Sequence, residues 1–243
     1  MDSFKRFLKS KKAIVFLDFE GTQFSHEIIA IGAIKVMLDE NKNIIDSKDA
    51  KTFKIYVKPL GIIGKIVEEM TSINEELLIK QGVTLEEAFK KFQSFVNMPS
   101  NDVLFITFGN NDAKMIIDSI NLSKPNNFMY CYSIVNNIFD YLPFISKYIK
   151  DNNNNNYSLV NYIKLFNVEP NGVSHDPLND AIDLKNLYKA MDERKDIVLD
   201  EYLKVIEHTS SYPTPIKALV TKLYNGETVT KDDLIEECKK QII

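Results

Sequence analysis

A short apolar run that ends in two carboxylates constrains this chain more than any other feature of its sequence. Residues 13–16 are continuously apolar and predict a buried β-strand, and Asp18 and Glu20 lie at its end. Because side chains alternate across a strand, both carboxylates point to the same face, ~6.5–7 Å apart. They repel each other and lose hydration there, and a divalent metal ion would relieve both penalties. The question is whether further carboxylates complete a metal site.

The composition is typical of a globular protein with no dominant charge. The chain has 243 residues, of which 44% are hydrophobic and 26% charged, and its formal net charge is −4. It has no basic tail that would indicate nucleic-acid binding. No apolar stretch approaches the ~20 residues that span a bilayer, and the start of the chain lacks the apolar core of a signal peptide. We therefore expect a cytoplasmic protein without membrane contact. Cys131 and Cys238 have no metal-like spacing and are expected to be free thiols.

The order of predicted strands indicates an α/β fold. Strands are expected at residues 13–16, 27–37, 52–57, 103–108 and 128–132. Short polar links predict that the first three form an antiparallel meander, whereas a helix between the last two predicts a parallel crossover. We therefore expect a mixed five-stranded sheet flanked by helices.

Predicted helices fill the rest of the chain. They are expected near residues 73–80, 85–96, 112–120, 158–166, 177–191, 197–208, 216–224 and 231–242. The hydrophobic pattern changes beyond residue 192, which predicts a main domain at 1–192 and a helical C-terminal extension at 193–243. The asparagine tract at 152–156 predicts a solvated loop, with a recognition loop as the alternative.

Two further aspartates lie on apolar helix faces. Asp180 falls within the apolar arc of the helix at 177–191, which includes Leu184, Leu187 and Met191. A carboxylate on a buried face needs a partner. Asp112 lies on the apolar side of the helix after the fourth strand, although capping that helix would explain it equally well. His175 precedes Asp180 by five residues, and Asp183, at the border of the arc, is expected to be solvated.

Taken together, these residues resemble the three motifs of a known nuclease group. Asp18-x-Glu20, Asp112 and His175-x4-Asp180 resemble, in order, the motifs of the DEDDh group of DnaQ-like 3′-5′ exonucleases. The resemblance covers about residues 11–192 and implies an RNase H-like fold for the expected sheet.

Secondary features are similar to one branch of that group, the KapD-like and histone-mRNA exonuclease-like branch. The segments at 27–33, 70–74, 107–112 and 175–181 carry this similarity. Phe108 stands where the branch often has tryptophan, and Ser72 where it has glycine. These departures spare the metal ligands and leave nucleotide preference open.

The resemblance implies a metal-dependent 3′-5′ exonuclease that releases nucleoside 5′-monophosphates by a two-metal mechanism. It assigns two divalent ions, Mg²⁺ or Mn²⁺, to Asp18, Glu20, Asp112 and Asp180. Asp18 would bridge both ions, Glu20 and Asp180 would bind the ion on the nucleophile side, and Asp112 would contribute through a water molecule. His175 would act as the general base.

The resemblance also suggests how a substrate is held. Thr22 and Phe24 are expected to hold the terminal ribose and base, and Met70 and Phe108 to contact a base, with ordinary core packing as the alternative for the last two. The expected partner is the 3′ end of single-stranded RNA or DNA, because the terminal bond must enter a carboxylate-lined pocket. The choice between RNA and DNA and any protein partner stay open.

Two other functions remain as alternatives. The chain could be a non-catalytic binding or scaffold member of the fold, or a proofreading subunit bound to a polymerase. The intact set of Asp18, Glu20, Asp112, His175 and Asp180 argues against the first. No recognisable polymerase-docking motif supports the second.

Overall fold

The computed structural model describes residues 2–45, 50–208 and 212–242. The chain forms two compact units. The first contains Met1–Tyr141 and Leu159–Ala190, and the second contains Leu142–Ser158 and Met191–Ile243. The boundary after residue 192 stays a prediction.

The first unit contains a mixed β-sheet. Its strands in the described residues are β1 (Ala13–Gly21), β2 (Ile28–Met37), β3 (Lys51–Tyr56), β4 (Val103–Thr107) and β5 (Ile138–Asp140). The order across the sheet is β3-β2-β1-β4-β5. β1, β2 and β3 pair antiparallel, whereas β4 pairs parallel with both β1 and β5. This topology confirms the predicted antiparallel meander followed by parallel crossovers.

Helices flank the sheet and make up most of the second unit. In the part of the chain that the structure describes, the α-helices are α1 (Asp2–Lys5), α2 (Lys65–Thr71), α3 (Glu75–Gln81), α4 (Leu85–Val96), α5 (Asn111–Ser123), α6 (Phe128–Val135), α7 (Leu142–Ile145), α8 (Leu159–Leu165), α9 (Pro177–Glu193), α10 (Lys195–His208), α11 (Thr214–Tyr224) and α12 (Lys231–Ile242). The last three confirm the predicted C-terminal helices.

Alternation along β1 separates an apolar face from the face that carries carboxylates. Val15, Leu17 and Phe19 are buried in a cluster with residues of α4, α5 and α6. On the opposite face, the ring of Phe16 packs edge-on against Tyr188 of α9, with 5.5 Å between ring centroids. Asp18 and Glu20 share this second face, because side chains two apart on a strand point the same way. The sheet therefore presents both carboxylates towards α9.

The predicted position of the fifth strand is wrong. Residues 128–132 lie in helix α6, and the strand is the shorter segment Ile138–Asp140 that follows it. A short apolar run does not distinguish a buried strand from a buried helix. Cys131 and Ile134 are the buried residues of α6, three apart as on one helix face. The pattern thus had a helical period, and a three-residue strand carries almost no signal of its own.

Helix α2 has no counterpart among the predicted helices. It ends at Ser72, whose φ of 60° lies in the left-handed region, and α3 begins three residues later. Glycine is favoured at such a helix end because it has no β-carbon. Backbone geometry therefore gives one reason for a glycine at this position in the branch that the sequence resembles.

Strand β2 and helix α9 approach each other at Gly32 so closely that no side chain fits between them. A β-carbon built on Gly32 would lie 2.0 Å from the carbonyl carbon of Pro177 and 2.2 Å from the backbone nitrogen of Leu178. Gly32 is the register partner of Asp18 across β1 and β2. The first turn of α9 is therefore seated on the sheet beside the carboxylate pair.

Substitution of Gly32 by alanine tests this contact. We expect Gly32→Ala to lower the free energy of unfolding by about 3 kcal/mol, the upper range for overpacking, because the obstacle is backbone. The matched control is Gly21→Ala, whose β-carbon would be crowded by the flexible Met115 side chain, at 2.9 Å from its sulfur, while the backbone oxygen of Glu27 lies at an ordinary contact distance of 3.5 Å. Urea denaturation followed by circular dichroism measures both changes. Equal losses in the two variants would show that the close approach does not matter.

Candidate active site

The end of β1 carries the first two residues of the site. Asp18 and Glu20 are half-buried, and the pairing of β1 with β2 becomes irregular between Glu20 and Gly21. Such a bulge turns the strand and re-aims its side chains. Both carboxylates therefore lie where β1 leaves the regular sheet.

Asp112 reaches the same strand end from α5. Its carboxylate is buried, and Oδ1 accepts a hydrogen bond of 3.2 Å from the backbone N–H of Phe19, the residue between Asp18 and Glu20. A role limited to capping α5 would not explain why the Asp112 carboxylate bonds to β1. The structure therefore joins the second predicted motif to the first.

Helix α9 fastens the loop before it through three side chains. Asp183 accepts a hydrogen bond of 2.8 Å from the backbone N–H of Asn171, and Asn179 donates to the carbonyl oxygen of Val173 at 3.2 Å. Asp180 accepts one of 3.0 Å from the backbone N–H of His175. The prediction that Asp183 is solvated is wrong, because it is buried and holds this loop. The hydrophobic pattern of α9 puts Asp183 at the border of the apolar arc, but it does not show that the preceding loop folds back and covers this residue.

His175 is held through its backbone while its side chain stays exposed. Its φ is 64°, a left-handed conformation that is uncommon outside glycine. The hydrogen bond to Asp180 supports this conformation, and strained residues of this kind cluster at functional sites. The imidazole is thus presented to solvent from a fixed backbone.

These elements bring Glu20, His175 and Asp180 together. One potential ligand atom from each of them lies within 4.8 Å of the others. Asp18, on the same strand as Glu20, and Asp112, bonded to the intervening residue, complete the predicted set of five. The structure therefore places three separate sequence motifs at one position.

Burial raises the pKa of all four carboxylates, and the charges of acidic neighbours add to each shift. Burial and the charges of Asp112 and Glu20 raise the pKa of Asp18 well above its usual range, although part of the residue remains accessible. Burial, then the charge of Asp180, raises the pKa of Glu20 to about 8. Burial also raises the pKa of Asp112 to about 7 and that of Asp180 to about 6, although hydrogen bonds from backbone N–H groups oppose both shifts.

The ligand atoms and the negative charge of the four carboxylates indicate whether a metal ion fits among them. Four carboxylates offer only oxygen ligands, which hard divalent cations such as Mg²⁺ and Mn²⁺ prefer. Burial and the charges of neighbouring carboxylates raise the pKa of Asp18 and Glu20, so positive charge placed among them would be stabilising. A divalent cation would supply it, so the residues present fit the metal that the motifs imply.

Asp176 and Lys54 anchor the site from the other side. Asp176 caps α9, since its Oδ1 accepts hydrogen bonds from the backbone N–H groups of Leu178 and Asn179, at 3.1 and 3.4 Å. Lys54 of β3 forms an ion pair with the other oxygen of Asp176. The pair ties the start of α9 to the sheet and offsets a fifth negative charge near the cluster.

The four predicted substrate contacts have different environments. Phe24 and Met70 are exposed, at 66% and 50% of their surface, whereas Phe108 is half-buried and packs edge-on against Tyr162, with 5.9 Å between ring centroids. Thr22 is buried, and its hydroxyl accepts a hydrogen bond from the backbone N–H of Glu27. Their contact with substrate stays a prediction.

Glu27 is a buried residue that is not among the predicted site residues. Its carboxylate accepts hydrogen bonds from the backbone N–H groups of Leu60 and Gly61, at 2.7 and 2.9 Å, and from the hydroxyl of Ser25 at 2.7 Å. These bonds join the turn after β1, which carries Phe24, to the loop after β3. A glutamate at the start of an apolar strand was the available signal.

The family of the chain follows from a comparison of its sequence with family models. The model described as Exonuclease (RNase_T) matches residues 15–188, which include the five clustered residues. The chain belongs to this exonuclease family. The match confirms the predicted resemblance to DnaQ-like exonucleases of the DEDDh group, whereas the KapD-like branch stays a prediction. Among proteins with curated functions, none matches the sequence.

Solved structures share the fold at low sequence identity. A full-length 3′-exonuclease matches with a TM-score of 0.53 and 17% identity, over 76% of this chain and 62% of its own. The nuclease domain of 3′hExo, a DEDDh member bound to rAMP, matches with 0.54 and 18%, over 75% and 92%. E. coli exonuclease I in complex with a dA16 oligonucleotide matches with 0.56 and 16%, over 87% and 46%. The chain thus spans less than two thirds of the first and last of these.

The comparisons and the geometry agree on the coarse assignment. The chain is a member of the exonuclease family with an RNase H-like fold of the α/β class, and its group depends on divalent metal ions. None of the helices in the described ranges is long and apolar enough to cross a bilayer.

Asparagine in place of Asp18 tests the metal site. In EDTA at pH 8 we expect Asp18→Asn to unfold at a higher temperature than the wild type, because the amide cannot be repelled by neighbouring carboxylates. With Mn²⁺ at 100 times its Kd, the wild type gains about 2.7 kcal/mol, whereas the variant gains much less. Differential scanning calorimetry measures both. The control is Asp200→Asn, an exposed carboxylate of α10. Equal Mn²⁺ gains in the wild type and Asp18→Asn would remove Asp18 from the ligand set.

Proposed function

We propose that this protein is a 3′-5′ exonuclease that shortens single-stranded RNA or DNA and releases nucleoside 5′-monophosphates. The observation that carries the proposal is the cluster of Glu20, His175 and Asp180 within 4.8 Å, adjoining Asp18 and Asp112. A scaffold protein would have no use for four carboxylates that destabilise one another.

Asp18, Glu20, Asp112 and Asp180 would hold two divalent ions, Mg²⁺ or Mn²⁺, with Asp18 shared between both. Bound ions would stabilise the charge that develops on the phosphate and lower the pKa of the attacking water. Without cations, the four carboxylates would repel a phosphodiester, so metal and substrate are expected to bind together.

His175 would remove a proton from the attacking water. Its imidazole is exposed, so a water molecule can reach it, and its backbone is fixed by Asp180. The negative charge of Asp180 would stabilise the imidazolium that forms, because an imidazole nitrogen and a carboxylate oxygen of the two residues lie within 4.8 Å of each other.

The substrate would be a single strand whose 3′ end enters the site. Structures of the same fold contain rAMP in one case and a dA16 oligonucleotide in another, so the fold accommodates both a ribonucleotide and a DNA strand. Exposed Phe24 and Met70 are available for stacking on bases, as is the half-buried ring of Phe108. Thr22 would support the turn and contact the ribose. We place the catalytic domain at residues 1–192 and the protein in the cytoplasm.

The decisive experiment compares substrates side by side. Single-stranded RNA, single-stranded DNA and the corresponding duplexes, labelled at the 5′ end, are incubated with Mg²⁺, Mn²⁺ or EDTA. We expect stepwise shortening of single strands with metal, none in EDTA, and none with Asp18→Ala. Asp200→Ala is the control. If Asp18→Ala retains the wild-type rate, the enzyme assignment is wrong.

His175→Ala separates base catalysis from metal binding. We expect turnover to fall by ~10²–10⁴-fold, the usual contribution of a general base, while Mn²⁺ affinity measured by calorimetry is unchanged. His208→Ala, on α10 in the second unit, should leave turnover unaffected. A parallel loss of Mn²⁺ affinity in His175→Ala would instead make His175 a ligand.

A further inference from the structure

The second unit contains an open cavity that has aromatic and basic walls. Its volume is about 480 Å³, and it is lined by Ser146, Lys147, Tyr148, Lys150, Asn154, Tyr202, Val205 and Tyr212. All of these residues belong to the second unit. No carboxylate is among them.

Tyrosines form one wall of this cavity. The rings of Tyr148 and Tyr202 lie 5.4 Å apart between centroids, at an angle of 62°. The hydroxyl groups of Tyr202 and Tyr212 are 3.1 Å apart and share a hydrogen bond. All three side chains are half-buried, so their rings are held in place while part of each surface stays open. Fixed, partly open aromatic rings suit the stacking of a flat ligand.

The lysines supply positive charge at the same cavity. Lys147 lies in the turn after α7, in which the backbone N–H groups of Tyr148 and Ile149 both donate to the carbonyl oxygen of Ile145, and Lys150 follows this turn. Both lysines line the cavity. Within the described ranges neither lysine has a carboxylate partner, whereas nearby Lys204 is neutralised by Glu201 at 2.6 Å.

A folded loop of asparagines borders the cavity. Asp151 accepts hydrogen bonds from the backbone N–H groups of Asn153 and Asn155, at 2.9 and 2.7 Å. The loop therefore curls around Asp151 and brings Asn154 to the lining, with a φ of 64°. Its amide adds hydrogen-bonding capacity, as expected under the alternative that this tract is a recognition loop.

The combination of groups selects the ligand class. Two other open cavities are lined by glutamates, including Glu86 and Glu87 in one and Glu75 and Glu76 in the other, which would repel an anion. The cavity of the second unit instead joins aromatic surface, two uncompensated cations and a few polar groups. A nucleotide matches these features, since it has a flat base, an anionic phosphate and polar edges.

We propose that this cavity binds a nucleotide of single-stranded nucleic acid, with its base against Tyr148 and Tyr202 and its phosphate at Lys147 and Lys150. The choice of a nucleic-acid strand, rather than a free nucleotide, as the ligand rests on the proposed function. The cavity would act as a second contact for the strand, separate from the carboxylate cluster of the first unit.

The test measures binding without hydrolysis. A 5′-fluorescein single-stranded 20-mer is titrated with the full chain in EDTA, and fluorescence anisotropy gives the Kd. We expect Tyr148→Ala to weaken binding about 5- to 100-fold, the range for loss of one stacked base. Tyr148→Phe, which keeps the ring, should bind like the wild type. Equal affinity of Tyr148→Ala and the wild type would overturn the proposal.

A lysine pair provides an independent readout that does not disturb the packing. The variant Lys147→Gln/Lys150→Gln should reduce the slope of log K against log salt by about 0.7, since the two lysines contact one phosphate and each phosphate contact to a single strand contributes that amount. The matched control is Lys231→Gln/Lys239→Gln, which removes the same charge from exposed positions of the second unit. Equal slopes in the two double variants would rule out a phosphate contact.

Two further measurements distinguish a failure of the cavity proposal from a failure of the proposed function. Hydrolysis of the p-nitrophenyl ester of thymidine 5′-monophosphate with Mn²⁺ should be unchanged in all cavity variants. If the wild type hydrolyses nothing but the cavity variants lose strand affinity, the proposed function fails and the cavity proposal stands. If the variants lose affinity for a free nucleoside 5′-monophosphate and not for the 20-mer, the ligand is a free nucleotide and the strand proposal is wrong.

Discussion

The contact between Gly32 and the start of α9 is the constraint on which the candidate site depends. It allows the backbone of Pro177 to rest directly on β2, opposite Asp18 in the pairing of β1 and β2. Asp180 lies one turn into this helix and His175 just before it. Any side chain at position 32 would lift the helix and move both residues away from the strand. Gly32, which has no functional side chain, thus sets the distance between the strand carboxylates and the two groups on and before α9.

The site is assembled at the expense of stability. Burial raises the pKa of all four carboxylates, and the charges of neighbouring carboxylates add to each shift, which means that the folded, metal-free chain keeps them together against their preference for water. The surrounding structure compensates with specific bonds. Backbone N–H groups of Phe19 and His175 hold Asp112 and Asp180, and Lys54 neutralises Asp176. Rigid support of this kind is expected where a site must be ready before its ligands arrive.

The sequence predicted the features that repeat over several residues better than those set by distant parts of the chain. The strand ending in Asp18 and Glu20, and Asp180 on the apolar face of α9, followed from the periods of strands and helices. The role of Asp183 did not, because its partner is a loop residue twelve positions earlier. The fifth strand was misplaced because three residues carry no measurable period. Gly32 gave no signal either, since its neighbour across space is 145 residues away.

Charge distribution links the two proposals. The proposed substrate class is polyanionic, yet the chain has a net charge of −4 and the proposed catalytic cluster is itself acidic. Lys54, the cation beside the cluster, is already paired with Asp176. Attraction for a strand must therefore come from bound metal ions at the cluster or from cations elsewhere in the protein. Lys147 and Lys150, unpaired within the described residues and beside aromatic rings, meet the second requirement. A weak second contact would raise the affinity for long strands over short ones without adding positive charge to the catalytic site.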